Sequence, residues 1–320
     1  MKVLVTGGAG FIGSHLVDRL MEEGYKVRVV DNLSAGRLKN LSRWRGDANF
    51  EFVEGDLREA SVASQAVNGI DVVFHLAANP EVRIGSQKPG EIYENNVTVT
   101  YNLLEAMRKH RVRGLVFTSS STVYGEAGKI PTPEDYSPLE PISIYGASKL
   151  ACEALISGYA HTFKMKSLVL RLANIVGERS NHGVIYDFIV KLKRNPKTLE
   201  ILGDGSQRKS YLHVSDCIEA ILHLYEKFEG DEVLYDVYNV GSEDWVLVRE
   251  IADMVVEGLG LENVEYKFTG GVEGGRGWPG DVKIMLLDIG KAKSRSWKPK
   301  LNSRQAVERA IRELINNLNL

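Results

Sequence analysis

Met1-Lys-Val-Leu-Val-Thr-Gly-Gly-Ala-Gly-Phe-Ile-Gly13, read together with Asp31, decides the architecture of this chain. Lys2 to Thr6 is a short β-branched and apolar run without polar alternation, the pattern of a strand buried on both faces of a parallel sheet. Gly7, Gly8 and Gly10 end it, and an amphipathic run through Phe11, Ile12, Leu16 and Leu20 begins at once. Strand, glycine turn and helix are the parts of a dinucleotide-binding βα unit. Its glycines let backbone N–H groups approach a pyrophosphate, Gly13 lets helix and strand pack closely, and the helix N-terminus supplies partial positive charge. A second apolar run, Val27 to Val30, ends in Asp31, which lies 18 residues beyond Gly13. An acid at that spacing accepts a hydrogen bond from the adenosine ribose and repels a 2′-phosphate, so the expected cofactor is NAD rather than NADP.

The chain has 320 residues, 43% of them hydrophobic and 26% charged, enough for one large α/β domain with an appendage or for two domains. A formal net charge of −2 and a pI near 6.4 give no electrostatic reason to bind nucleic acid or an anionic membrane. Cys152 and Cys217 stand at no metal or redox spacing, and His75 reads as a satisfied structural residue, so no metal is expected and a reducing cytoplasm is. The apolar run before Gly7 is too short for a signal peptide, and no run of 18 apolar residues occurs, so no membrane span is expected.

Residues 32–49 are polar and read as a loop with a short helix. Residues 50–54, 71–76, 115–118 and 167–170 read as further strands, and 91–110 and 144–164 as helices, the first carrying Asn95 and Asn96. Asp56, past the third strand, reads equally as a contact for an adenine amino group or as a helix N-cap. Beyond Arg171 come a helix (184–192), a strand (199–202) and a polar turn (203–210), then Tyr211–Asp216 and Asp236–Val240 as returns to the main sheet. Residues 243–320 mix short helices with a glycine-rich loop at 270–281. The expected fold is therefore α/β, a doubly wound parallel-sheet Rossmann fold of residues 1–173 plus 211–241. Residues 174–210 plus 242–320 are expected to build a smaller C-terminal lobe over the sheet's carboxyl edge.

Of thirteen tyrosines only Tyr145 has a lysine four residues on, Lys149, and Ser120 precedes it at the end of a strand. A phenol near its ordinary pKa of about 10 is a poor base, and bringing it near 7 takes roughly 4 kcal/mol. An ammonium ~4–5 Å away at an effective dielectric of about 20 contributes about 3–4 kcal/mol, and an oxidised nicotinamide adds to it. Tyr145 then takes a proton from a sugar hydroxyl while Ser120 and Thr122 hydrogen-bond the same oxygen.

At these residues the sequence resembles the extended short-chain dehydrogenase/reductases, most closely the UDP-glucose (UDP-galactose) 4-epimerase family. The resemblance runs along essentially the whole chain. It rests on Thr6-Gly-Gly-Ala-Gly-Phe-Ile-Gly-Ser-His15, Asp31-Asn-Leu-Ser34, Gly55-Asp-Leu57, His75-Leu-Ala-Ala78, Ser119-Ser-Ser-Thr-Val-Tyr-Gly125, Tyr145-Gly-Ala-Ser-Lys149, Arg171-Leu-Ala-Asn174 and Gly203-Asp-Gly-Ser206. It implies a tightly held NAD contacted by Gly7, Gly10, Phe11, Ile12, Gly13, Asp31, Asn32, Ser34, Gly36, Asp56, Leu57, Leu76, Ala77, Ala78 and Asn95, with Tyr145 and Lys149. It implies Ser120, Tyr145 and Lys149 as the catalytic set, and a UDP-sugar substrate oxidised at C4 and reduced again on its other face. Of the substrate, Ser120, Thr122 and Tyr145 would meet the hexose, Asn174 the diphosphate, and Val184, Glu200, Ile201 and Leu202 the uridine. Arg276 and Asp281 would meet phosphate and ribose, and a homodimer would form through the helices at 91–110 and 144–164.

Three positions depart from the family pattern. Lys209-Ser-Tyr211, preceded by Arg208, replaces a common Arg-Asp-Tyr, which leaves open whether Arg208 or Lys209 meets the diphosphate. Asn79-Pro-Glu-Val-Arg83 lacks a lysine that some members carry, and Met285 stands where a pocket tyrosine is common, an exchange that admits N-acetylated sugars. The rival chemistry, 4,6-dehydration, needs an added acid/base pair, and Ser120-Ser121-Thr122 offers no carboxylate.

Overall fold

Val3, Leu4 and Val5 are fully buried, as a strand covered on both faces requires, and form the middle of β1 (Lys2–Thr6). The computed structural model describes residues 1–317. After β1 it runs through α1 (Phe11–Glu22), β2 (Lys26–Asp31), β3 (Phe50–Glu54), α2 (Ala60–Val67), β4 (Val72–His75), α3 (Pro89–Tyr93) and α4 (Val99–His110). Next come β5 (Gly114–Ser120), α5 (Ile144–Phe163), β6 (Lys166–Leu172), β7 (Asn174–Val176), α6 (Val184–Arg194), β8 (Thr198–Ile201), β9 (Arg208–Lys209) and β10 (Tyr211–His213). The chain continues through α7 (Val214–Glu229), β11 (Tyr235–Val240), β12 (Val246–Leu247), α8 (Val248–Gly258), β13 (Glu265–Phe268), β14 (Ile284–Met285), α9 (Gly290–Ser294) and α10 (Ser303–Asn317).

Two compact units result. The first comprises Met1–Val123, Ile144–Arg171 and Ile218–Tyr238. Its sheet has seven strands in the order β3-β2-β1-β4-β5-β6-β11, a Rossmann-like arrangement. β3, β2, β1, β4 and β5 are parallel, and Val3 faces Val27 on one side and Val72 on the other. Winding reverses between β1 and β4, and in such sheets ligands bind in the crevice at the carboxyl ends there. Leu4, Val73, Leu103, Met107, Leu115, Phe117 and Ile156 belong to the core that packs α4 and α5 on this sheet.

The second unit comprises Tyr124–Ser143, Leu172–Cys217 and Asn239 onward. Ile185, Phe188 and Ile189 of α6, Ile251 and Val255 of α8, and Val307 and Ile311 of α10 close its own core with Leu199 and Ile201 of β8. β8 pairs in parallel with β13, and β9 lies between antiparallel β12 and parallel β14.

Two expectations are corrected. Tyr211–Asp216 does not return to the main sheet: only Tyr211–His213 is a strand, it pairs in parallel with β7, and Val214 already opens α7. The place beside β6 is taken by the longer β11. Nor is the helix at 91–110 continuous, because residues 94–98 form a π turn between α3 and α4. Asn95 donates its amide to Glu91 O at 2.7 Å and Thr100 its hydroxyl to Asn96 O at 2.7 Å. These side chains bond helix carbonyls four residues back, a pattern that bends helices.

Candidate active site

The first unit contains a cradle shaped for a dinucleotide. Gly7 has φ +68° and its backbone is so close to β4's exit that a Cβ there would stand 2.9 Å from Ala77 N. A Cβ on Gly13 would collide with the Gly7 carbonyl oxygen. Gly10 is the N-cap of α1 and provides no side-chain cap, which leaves the amides of Phe11, Ile12 and Gly13 aimed out of the helix end. Asp31 is 8% exposed, and its carboxylate accepts Ala9 N at 3.0 Å and Leu33 N at 2.8 Å. Burial pushes its pKa up and those two backbone donors oppose the shift. Gly36 leaves room beside it, since a Cβ there would stand 2.9 Å from both carboxylate oxygens.

Next to it Asn32 accepts the amide and hydroxyl of Ser34 and donates to Asp56 at 3.2 Å. Asp56 does not cap α2, whose N-cap is Glu59; it closes its own turn by accepting Arg58 N at 2.9 Å. The Arg58 guanidinium beside it holds its pKa down at about 2. Leu57 is buried. Thr6 Oγ1 accepts Leu76 N and Ala77 N at 3.1 Å each and bonds His75 Nδ1 at 2.7 Å, fixing the backbone that leads to Ala78. His75 Nε2 meets Thr100 Oγ1 at 3.0 Å, and burial drops the imidazole's pKa to about 3. The histidine is a neutral structural bridge. Among the described residues no group of His, Cys, Asp or Glu is arranged to hold a metal. A glycine cradle, an uncapped helix end and a buried acid fit the adenosine diphosphate half of NAD.

β5 and α5 build the reactive cluster in the same unit. Tyr145 is the second residue of α5, and Lys149 follows one turn later on the same face. Ser120, at the end of β5, stands by the Tyr145 phenol and favours its ionised form. Thr122 donates N at 3.2 Å and Oγ1 at 2.9 Å to Ser120 Oγ, which leaves the Ser120 proton free to be donated elsewhere. Lys149 is 3% exposed, donates to Thr118 O at 2.8 Å, and lies 6.0 Å from the centre of the Tyr145 ring. Burial lowers its pKa to about 8.

Within the polypeptide's own field the phenol is pushed up to about 12 by burial, against the pull of Ser120. Lys149 donates to the Thr118 carbonyl and lies over Phe117, 4.7 Å from that ring's centre.

Asn95 is half-buried and tied to Glu91 O, while Asn96 is buried and bridges two elements. Asn96 accepts Asn79 N and donates to Ser148 Oγ, both at 2.8 Å. Sequence reading gave Asn96 no role; its only signal is an amide on an apolar helix face.

The second unit carries the residues expected for the nucleotide. Lys209 pairs with Asp281 at 2.5 Å, and Asp281 also accepts Gly277 N at 3.1 Å. Arg276 pairs with Glu126 and reaches Glu273 at 3.4 Å. Asn174 donates to Ser210 O at 3.1 Å. Among the described residues, Arg208 Nε, Arg276 Nε and Gln207 Oε1 are buried with no hydrogen-bond partner. Val184 sits in the first turn of α6 and Glu200 is exposed, but the Ile201 side chain is fully buried and its carbonyl accepts Thr269 N at 3.0 Å. Leu202 O accepts Gln207 Nε2 at 3.1 Å.

Comparison with known proteins identifies the family of the chain. Residues 3–241 match the model of the NAD dependent epimerase/dehydratase family. The chain is 33% identical over 320 residues to a UDP-glucose 4-epimerase of Lactobacillus helveticus, covering 94% of this chain and 92% of that one. A crystal structure of a UDP-galactose 4-epimerase is 46% identical, covers 99% of this chain and 100% of its own, and superposes with a TM-score of 0.89. The Thermotoga maritima UDP-glucose 4-epimerase solved with UDP-glucose is 33% identical with a TM-score of 0.86, covering 99% of this chain and 100% of its own. UDP-glucuronic acid decarboxylases and a dTDP-glucose 4,6-dehydratase also match.

Proposed function

Because this chain belongs to the NAD-dependent epimerase/dehydratase family, we propose that it inverts C4 of a UDP-hexose, interconverting UDP-galactose and UDP-glucose through a 4-keto sugar. Bound NAD supplies a reversible hydride acceptor and, when oxidised, a positive charge. The observation that carries the reading is the gathering of Ser120, Tyr145 and Lys149 where β5 ends and α5 begins, with Lys149 buried and donating to Thr118 O. Tyr145 takes the proton of the C4 hydroxyl and later returns it; Ser120, whose oxygen is held by Thr122, donates to the same oxygen as it becomes a carbonyl. Lys149 keeps a cation behind the phenol, favouring its ionised form.

In the second unit Lys209 and Arg276 are assigned to the diphosphate, where guanidinium and ammonium donors suit phosphate oxygens. Each already faces a carboxylate, so binding exchanges one anion for another. Asn174 joins them, Asp281 meets the ribose, and Val184, Glu200 and Leu202 are left for the uridine because the Ile201 side chain is committed to the core. Ser121 and Thr122 follow Ser120 without a carboxylate, which favours epimerisation over 4,6-dehydration.

A homodimer is part of the same reading. Tyr93 and Tyr101, 58% and 48% exposed, border a groove with Val97, Ala151, Ala154 and Leu155 on the helices at 89–110 and 144–163, and a second copy of that face would cover it. Among the described residues no helix is long and apolar enough to cross a membrane, and both cysteines are unpaired; we place the enzyme in the cytoplasm.

The test is an assay of purified protein without added NAD. UDP-galactose and UDP-glucose should interconvert with no net NADH. A dehydrated product would replace this reading with the dehydratase one, and a strict need for fresh NAD would replace it with a dehydrogenase.

A further inference from the structure

A buried charge near the reactive cluster has no part in the chemistry just described. Glu153, 3% exposed, stands one helical turn beyond Lys149 on α5. Its Oε1 accepts the Ser119 hydroxyl at 2.5 Å. Arg171 of β6 donates Nε to both carboxylate oxygens at 3.1 and 3.2 Å, and its second terminal nitrogen to Oε2 at 2.7 Å. Arg171 and Ser119 are themselves 5% and 4% exposed.

Stability is a weak explanation for such a pair, because desolvation offsets the attraction and apolar side chains of equal volume serve as well. Position is a better one. Lys149 grips Thr118 O at 2.8 Å and Glu153 grips Ser119 Oγ, so successive turns of α5 hold successive residues of β5, immediately before Ser120. We propose that Glu153, oriented by Arg171, is a positioning residue that clamps α5 to the end of β5, keeping Ser120 on the Tyr145 phenol and the Lys149 ammonium in its charged form. The proposal rests on the reading of Ser120, Tyr145 and Lys149 as the catalytic set.

The signs of its electrostatics are definite. The groups facing Lys149 are His75 of β4, which is neutral, Tyr145 and Cys152 of α5, and Glu153. Facing the pair itself is Tyr235 of β11. Glu153 favours the ammonium while burial disfavours it. Neutralising Glu153 leaves Arg171 unbalanced and pushes Lys149 toward its neutral form at lower pH. Neutralising Arg171 leaves the carboxylate unbalanced and does the opposite.

The experiment measures kcat and KM for UDP-galactose against pH in the NAD-loaded wild type, E153Q, R171Q, E153Q/R171Q, S119A and Y145F. The alkaline limb of kcat should move down in E153Q and up in R171Q, each by on the order of half a pH unit, and return toward wild type in the double variant. S119A should lose about tenfold in kcat at unchanged KM, within the range lost when a reacting group is misplaced. A purely structural pair would lower activity without moving the two limbs in opposite directions. Limbs that stay put, or move the same way, overturn the proposal while Y145F is inactive. Turnover by Y145F removes the underlying catalytic reading and this proposal with it. If the single charge variants fail to fold, S119A decides: the kcat loss supports the clamp, and a wild-type kcat refutes it.

Discussion

Glu126 competes for a guanidinium that the substrate is expected to need. It pairs with Arg276, which is 16% exposed at its side chain, whereas Glu126 is 44% exposed. Such a half-exposed pair is worth at most about 1 kcal/mol, so its removal does little harm and frees a phosphate ligand. E126Q is expected to lower KM for a UDP-sugar about threefold, read from initial rates; a higher KM would show that Glu126 orients Arg276 rather than opposing the diphosphate. Tyr145 carries the opposite lesson. Its phenol is pushed up to about 12 by burial, against the pull of Ser120. Tyr145→Phe should keep NAD bound, by its absorbance in purified protein, and lose about 10²–10⁴-fold in kcat.

Strand, turn and helix around Gly13 form one packed object, and this is where the sequence was most readable. Buried strands of a parallel sheet announce themselves as unbroken apolar runs, as residues 2–6 do, whereas β2 is interrupted by Arg28 and the edge strand β3, Phe50-Glu-Phe-Val-Glu54, alternates and has no fully buried residue. Gly13→Ala tests the packing: the added methyl collides with the Gly7 carbonyl and stands 2.9 Å from Gly8 Cα. A loss of about 1–3 kcal/mol in unfolding free energy is expected, with NAD released, and wild-type stability would show that the turn relaxes freely. Less was readable where side chains decide. The π turn at 94–98, where Asn95 and Thr100 bond carbonyls four residues back, leaves no mark on hydrophobic periodicity. The partner of a three-residue strand such as β10 is chosen by tertiary pairing, not by its own composition. Catalytic candidates were visible as motifs, but Glu153 was marked only by a charge on an otherwise buried helix face. The nucleotide residues of the second unit rest on resemblance, because nothing in their local pattern distinguishes a ligand from a surface ion pair.

Stability and assembly belong to the chain as a whole. His75 titrates at about 3 when folded against about 6.5 when unfolded. Above pH 6.5 both forms are neutral; between 6.5 and 3 only the unfolded chain takes up the proton, so stability falls as the solution is acidified. From pH 7 to pH 5 the histidine alone costs about 2 kcal/mol, visible as a lower urea midpoint that His75→Asn should largely abolish. Asp56 and Glu313 on α10, held at about 2, weaken the fold as the pH falls through their ordinary values of 3.8 and 4.5, so the interval from pH 7 to pH 5 isolates the histidine's effect. Sedimentation should find a dimer, and Tyr101→Asp, which places a charge on the exposed aromatic face, should yield monomers that still hold NAD. The clamp at Glu153 has one more consequence. Its members lie 34 and 18 residues apart along the chain, on β5, α5 and β6. Until all three segments have come together no serine is aligned with the phenol. On the proposed clamp, a nascent or partly denatured chain is chemically mute, unable to strip hydrogen from a passing sugar and leave it half converted.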